Sequence, residues 1–491
     1  MSLLRKTLKV TAITFGVLTV VCSLLWYKFS DNISPDMWRH AENVWHGYTP
    51  ITGDRTPGEL IRYAKRRLEG HPNLEAIALP PLHWAQARVE RPVPPGPLPT
   101  LGKGQQTQAL PRLPGQNATS DVVVRNAEEI INAIKQAKAG QTITLAPGTY
   151  RINTNLKTAA AGSEFQRITV RAAQPGQVHI EFNAQEGFKV SNPYWVFENL
   201  NIRGVCAQHD YCDHAFHVVG KASHTVIRNN HIEDYNAHLK VNGADSDWPD
   251  NGLVQYNTLT NTKPRATNLP VTPIDIVGAS QWHLEDNLIS NFVKGDGDQI
   301  SYGLFMKGAG SGGRIERNLV ICTPKDMSQP GVRVGLSFGG GGTGKPYCRD
   351  KRCVTEHTGG LAANNIIAHC NDTGLDINKA SKVTFAFNTL INTSGIGIRG
   401  GSSEVRLYGN MYEGKVRVAD GSALRQEMNQ IMHAAKVFNN GDLLQLGWRE
   451  KPENILSMPG SRIDFCGLPR SDGTPPGALA APGPACAPPL Q

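Results

Sequence analysis

Between Val196 and Tyr412 short apolar runs recur around an asparagine: VFENLNI, VIRNNHI, LVQYNTL, HLEDNLI, RIERNLV, LAANNII, VTFAFNTL and VRLYGNMY. The aligned residues are Asn199, Asn230, Asn257, Asn287, Asn318, Asn365, Asn388 and Asn410, most of them 22 to 31 residues apart. A second β-like run follows each phrase after a variable loop: AFHVVG, AHLKVNG, PIDIVG, GLFMKG, VRVGLSF, GLDINK and GIGIRG. Short strands at this period, with no helical periodicity, predict a solenoid of stacked parallel coils over residues 121–420. The asparagines are expected to stack at one corner and hydrogen-bond along the axis, as amide ladders do in stacked sheets.

Alternation along the second set of strands sorts its side chains into two faces. Phe216, Val218, Leu239, Val241, Ile274, Ile276, Leu304, Met306, Val334, Leu336, Leu375, Ile377, Ile396 and Ile398 are expected to fill the interior. The outward stripe then carries His217, His238, Lys240, Asn242, Asp275, Lys307, Arg333, Ser337, Asp376, Asn378 and Arg399. One charge on a solvent-facing strand is ordinary. Lys240, Asp275, Lys307 and Arg333 on four consecutive coils form a cluster that invites chemistry.

The flanking segments read differently. NAEEIINAIKQAKAG predicts an amphipathic helix with Asn126 as N-cap and Glu129 three residues on, stopped by Gly140. Residues 31–120 read as a stalk, with a helix in GELIRYAKRRLEG and a stiff proline-rich linker in RPVPPGPLPTLGKG. Residues 421–466 are expected to form a C-terminal helix and closing segment, and 467–491 a disordered tail. The uncharged run at 10–27, preceded by Arg5, Lys6 and Lys9 and closed by Trp26, Tyr27 and Lys28, predicts an uncleaved membrane anchor after a cytoplasmic stub. A cleaved signal peptide is the rival reading. The bulk of the chain is expected on the periplasmic or extracellular face.

Cysteine usage agrees with export. Eight of the nine cysteines follow residue 200, an even number that permits disulfides in an oxidising compartment. Cys206 with Cys212, and Cys348 with Cys353, are close enough to close small loops; CAQHDYCDH could alternatively hold a metal. Half of the formal charge of +8 over 491 residues lies before residue 30, and the remaining excess is too small to point to nucleic acid. SFGGGGTG at 337–344 lacks the lysine–serine pair of a phosphate loop and reads as a wall beside the stripe.

The domain's opening, with its capped helix, AGQTITLAPGTY, RITVRAAQPGQVHI and WVFENLNIRG, resembles right-handed parallel β-helix polysaccharide lyases. The nearest group is the chondroitinase B and alginate lyase family, polysaccharide lyase family six, with the similarity covering roughly 121–415. DFCGLPRSDGTPPGAL is similar to the closing segment of such chains. The resemblance implies an all-β, right-handed parallel β-helix with an N-terminal capping helix, acting on an anionic, uronic-acid polysaccharide by β-elimination. It implies Lys307 as the base that takes the C5 proton, Arg333 as the residue assisting the leaving oxygen, and Asp275 as a ligand of Ca2+. The family's acidic ligands just before the lysine correspond to Ile300 and Tyr302, which carry no carboxylate.

β-Elimination needs a base, a positive group on the carboxylate and a donor to the leaving oxygen. A lysine serves as base when neighbouring cations disfavour its charged form, and Lys240, Arg333 and Arg399 are the cations on the stripe. His217, His238 and Tyr302 are candidate proton handlers that would also contact substrate. The alternatives are a C5-epimerase, which needs a second proton donor, and a non-catalytic glycan-binding or envelope solenoid. A hydrolase would want paired carboxylates, and the stripe offers Asp275 and Asp376 about three coils apart.

Overall fold

The computed structural model describes residues 57–68 and 71–481, apart from 115, 117, 330, 341, 420, 459, 460 and 472, together with Cys486. The chain divides into two compact units, Met1–Ile51 and Thr52–Gln491, and the described residues all belong to the second. The expected anchor at 10–27 lies outside them. Among the described residues no helix is long and apolar enough to cross a membrane.

Three parallel sheets make the body of the second unit, with 12, 11 and 10 strands among the described residues, each coil adding one strand to each sheet. The long sheet runs from Ser120–Val124 to Leu424–Glu427, and the second from Gly148–Ile152 to Gln430–Ile431. The third, here the site sheet, runs from Leu156–Lys157 to Lys415–Val418. The solenoid therefore continues about ten residues past the expected boundary at 420. Helix Ala127–Lys135 has the expected cap, Glu129 N–H donating to Asn126 Oδ1 at 2.9 Å, and buries Ile130 and Ile134 against the first coils.

The asparagine ladder forms with one change of membership. From Asn230 to Asn410 each fully buried amide donates from Nδ2 to the next coil's Oδ1 at 2.9–3.1 Å. Each Oδ1 also accepts the backbone N–H of the asparagine below. Asn199 is not a rung: it accepts from Asn229 Nδ2, while Leu200 N–H occupies the position below Asn230. Asn429 adds a rung at the other end. The residue before each rung has a positive φ, including Asn229, Tyr256, Asp286, Arg317, Asn364, Phe387 and Met428. This left-handed bend turns the chain between sheets, and at 409 a glycine supplies it.

The described segments flanking the solenoid pack against it more than the sequence suggested. Helix Pro57–Leu68 falls where expected, and a second helix, Pro72–Val89, follows it. The proline-rich segment then runs down the solenoid as a strap, not a free stalk. Arg91 pairs with Glu413, and Lys103 Nζ donates to Asp286 Oδ1 at 2.6 Å. Farther down, Gln106 N–H reaches Asn229 Oδ1, Pro111 O accepts from Arg228, and Gln116 Nε2 reaches Glu198. An extended proline-rich backbone makes no internal hydrogen bonds, so it satisfies itself on the solenoid corner.

After the last coil come a short helix, Ala434–Val437, and an antiparallel pair, Phe438–Asn440 with Gln445–Trp448. The expected disordered tail is packed where it is described. Ala478 and Leu479 are buried, Arg470 binds Asn364 Oδ1, and Cys466 is joined to Cys486. Both expected small disulfide loops form, Cys206–Cys212 and Cys348–Cys353, and Cys322–Cys370 is a fourth bridge.

Buried histidines set an acid limit on this fold. Burial holds His238 and His369 at about 4 and His357 at about 3, and burial with the His217 and Lys240 charges holds His214 at about 4. Their ordinary value is 6.5, so between pH 6.5 and about 4 the unfolded chain takes up protons that the folded chain refuses. Acidification through that window therefore destabilises. Asp213, raised by burial to about 6, and Asp442, also raised by burial, act in the opposite direction, but they are two groups against four. The midpoint of thermal unfolding is expected to fall from pH 7 to pH 4.5; a rise on acidification would contradict this reading.

Candidate functional site

Register along the site sheet fixes which outward residues are neighbours. One row crosses the coils as Lys189, His217, Lys240, Asp275, Phe305, Ser337, Asp376, Gly397 and Arg417. Lys307 is opposite Val277, two residues farther along its strand, in the row that continues to Asn378 and Arg399. Arg333 is opposite Ser301. Asp275, Lys307 and Arg333 thus stand on three rows, not the single stripe that alternation predicts.

Two glycines also change which side chains face outward. A Cβ on Gly303 would lie 3.0 Å from Phe292 Cζ, and one on Gly335 would lie 2.6 Å from Ile367 Cγ2, so both positions face the core. Leu304 and Leu336 also face the core, and two consecutive inward positions reverse the alternation before them. Tyr302 is thereby turned to the outer face, where its ring meets Phe305 edge-on at 5.5 Å. Val334, expected inside, is buried but outside the core cluster. Arg333 is turned away from the face: it is 1% exposed and donates from Nη2 to the Met327 and Gln329 carbonyls. Burial near Arg62 lowers its guanidinium to about 10. Its place on an open substrate surface is therefore corrected.

His238 is corrected for the same reason. It is fully buried, its Nε2 lies 2.8 Å from Thr260 O, and the low value set by its burial keeps it neutral. It cannot touch a substrate lying on the sheet.

The remaining candidates form two groups on the outer face. At the lower coils His217 lies between two acceptors, Glu186 Oε1 at 2.5 Å and Asn242 Oδ1 at 2.8 Å. The Asn242 amide is oriented by its Nδ2 bond to Gly243 O. Burial alone would raise Glu186, but the hydrogen bond and charge of His217, with Lys189 Nζ 3.2 Å away, outweigh it and hold the carboxyl at about 2. Next to this pair Lys240 Nζ donates to Asp275 Oδ2 at 2.6 Å. Asp275 is 3% exposed, and its Oδ1 is buried without a hydrogen-bond partner.

At the upper coils Asp376 holds Arg399 through two bonds of 3.0 and 2.9 Å, and Arg399 Nη2 lies 3.4 Å from the Tyr302 hydroxyl. Gly397 makes room for this pair, since a Cβ there would lie 3.3 Å from Asp376 Oδ1. Burial, then the Asp376 charge, push the Tyr302 phenol above its ordinary value, so it is protonated at neutral pH. Lys307 is half-buried, with Nζ 4.2 Å from the centre of the Phe305 ring. Among the described residues it has no hydrogen-bonded or ion-paired partner. The glycine-rich segment runs alongside, where a Cβ on Gly340 would lie 2.7 Å from Lys307 Cδ.

Sequence reasoning missed Phe305, read as part of an apolar run, and the clamping roles of Glu186 and Asp376. Alternation around Leu304 and Met306 was the available signal for Phe305. The clamps join residues 31 and 23 positions apart on adjacent coils and leave no local mark.

These strands can now be set beside known proteins. Residues 113–266 match the Pel9A-like right-handed β-helix region. The Pel9A-like match takes in Asp213, His217 and Lys240 and ends before Asp275 and Lys307. The resemblance to a remote polysaccharide-lyase β-helix is met, and the solenoid is of the right-handed kind. The structure of pectate lyase Pel9A superposes with a TM-score of 0.50 at 14% identity, covering 76% of this chain and 96% of that one. A family-six polysaccharide lyase from Pseudopedobacter saltans shares 14% identity at a TM-score of 0.34, covering 73% of this chain and 99% of that one. The family-six alginate lyase AlyGC gives 14% and 0.31, covering 64% of this chain and 51% of that one. No curated protein sequence matches the chain. At these identities the comparisons establish the fold.

The family-six resemblance implied calcium, and the donor set can be tested for it. Calcium takes six to eight oxygen ligands, with carboxylates prominent. Of the Asp275 carboxylate, Oδ2 is already on the Lys240 ammonium. Ile300 and Tyr302 supply no carboxylate. Among the described residues the cluster whose ligand atoms do gather is Cys348, Asp350 and Cys353, and those sulfurs are joined in a disulfide. The residues around Asp275 do not fit calcium.

Proposed function

We propose that the outer face of the site sheet binds a uronic-acid polysaccharide and cleaves it by β-elimination, with Lys307 as the base. The observation that carries this reading is the Lys307 ammonium over Phe305, which lacks an ion-pair partner among the described residues while Lys240 and Arg399 each have one. With no ion pair among the described residues to hold it, Lys307 is the cation on this face left available to a substrate proton. In the step, neutral Lys307 removes the C5 proton and the C4–O bond breaks. A C4=C5 double bond forms, and the departing oxygen is protonated by the Tyr302 hydroxyl. Arg399, held in orientation by Asp376, and Lys240, held by Asp275, are the cations for uronate carboxylates along the chain. Arg333 supports the strand from beneath and takes no part. The right-handed β-helix shared with a pectate lyase supports the polysaccharide class.

Four disulfides support an oxidising compartment, in keeping with residues 10–27 anchoring the domain outside the cytoplasm. A second reading, a glycan-binding solenoid without catalysis, is favoured by the internal pairing of Lys240, His217 and Arg399. The test is incubation with pectate, alginate, chondroitin and heparosan, following the ultraviolet absorbance of unsaturated uronate and the polymer length. Absorbance rising as length falls is expected with at least one polymer. Retained binding with neither change selects the second reading.

A further inference from the structure

The disagreement over calcium has a positive counterpart in the chain itself. Lys240 is on the row between His217 and Asp275, on the coil just below Asp275. Its side chain is 23% exposed, whereas that of Asp275 is 5% exposed. The ammonium therefore uses one N–H on a buried carboxylate and keeps donors at the surface. Asp213 is close enough for its carboxyl to feel both the Lys240 charge and the Asp275 charge. Asp275 Oδ1, buried without a hydrogen-bond partner, would suit a divalent ion if the other carboxylate oxygen were free. That oxygen, Oδ2, is taken by the Lys240 ammonium, a single positive charge that a calcium ion would have to expel.

We infer that Lys240 supplies from within the chain the positive charge that a bound calcium ion would otherwise place on this face, so the protein holds its anionic sugar without a divalent ion. The inference rests on the reading of the face as a uronate site. It deepens that reading by assigning the charge that meets the carboxylate on the lower coils. The chemistry follows from the donor set: an ammonium donates hydrogen bonds to a carboxylate directly, whereas calcium shares it among oxygen ligands.

The test uses the full chain, stripped with EDTA and titrated with calcium chloride while thermal unfolding is followed. The wild-type midpoint is expected not to move. Lys240→Asp, which replaces the resident cation with a third carboxylate, is expected to gain a calcium-dependent rise. A wild-type midpoint that climbs with calcium, and stops climbing in Asp275→Asn, overturns the inference. Should Lys240→Asp fail to fold, Lys240→Met gives the second readout. Its affinity for pectate or alginate oligosaccharide in EDTA is expected to be weaker by about tenfold or more, the usual scale for losing a charged hydrogen bond. Unchanged affinity in Lys240→Met overturns the inference as well. If wild type binds none of the polymers, the polysaccharide reading fails, while the calcium titration still decides the question of the ion.

Discussion

Lys307→Ala is expected to lower turnover on the responsive polymer by about 10²- to 10⁴-fold, the range for removing a positioned general base, while leaving the thermal midpoint almost unchanged. The side chain is half-buried and makes no hydrogen bond or ion pair among the described residues, so the fold loses apolar contacts with the Phe305 ring and the Gly340 segment. Lys307→Arg separates the two roles the site could give this residue. Arginine keeps the positive charge but does not deprotonate at working pH. If Lys307 only grips a carboxylate, arginine restores activity; if it takes the C5 proton, Lys307→Arg remains as inactive as the alanine variant. Polymer binding without turnover is the expected behaviour of both variants.

The second large effect is on stability. Asn318→Ala is expected to destabilise the domain by about 3–5 kcal/mol, because the loss reaches several buried groups at once. Asn318 Nδ2 serves Leu284 O, Glu316 O and Asn365 Oδ1, and its Oδ1 accepts both the backbone N–H and the Nδ2 of Asn287. Alanine leaves these donors and acceptors in a dry corner with no water to replace the amide. Denaturant unfolding followed by circular dichroism measures the change. Lys382→Ala, an exposed surface change on a later coil, is the control expected to stay within about 0.5 kcal/mol. Equal effects from the two variants would remove the ladder from the account of stability.

Features that depend on local pattern were legible in the sequence. The coil period, the Asn126 cap, the corner asparagines and the two short disulfide loops each follow from residues near one another in the chain. The site was legible only in part, because it depends on register. Alternation correctly assigned Lys240, Asp275, Lys307 and Arg399 to one face. It could not show that Gly303 and Gly335 each add an inward position, exposing Tyr302 and concealing Arg333. The VFENLNI phrase put Asn199 on the ladder, and only the register with Asn229 moves it one place off. Long-range partners were equally hidden. Cys322 and Cys370 are 48 residues apart, yet their Cα atoms are 4.9 Å apart because they turn the same corner on adjacent coils. Composition marked the strap as a stiff, poorly packing linker and the C-terminal tail as disordered because it cannot register a partner. The solenoid corner supplies one, through Asp286, Asn229 and Asn364.

Proton removal from carbon by Lys307, as proposed for the outer face of the site sheet, is read out by digesting the responsive polymer in deuterated water with wild type and Lys307→Arg and examining the product ends by mass spectrometry and NMR. C4=C5 unsaturated ends are expected from wild type and none from Lys307→Arg. Unsaturated ends formed equally by both, or saturated ends from wild type, would contradict it.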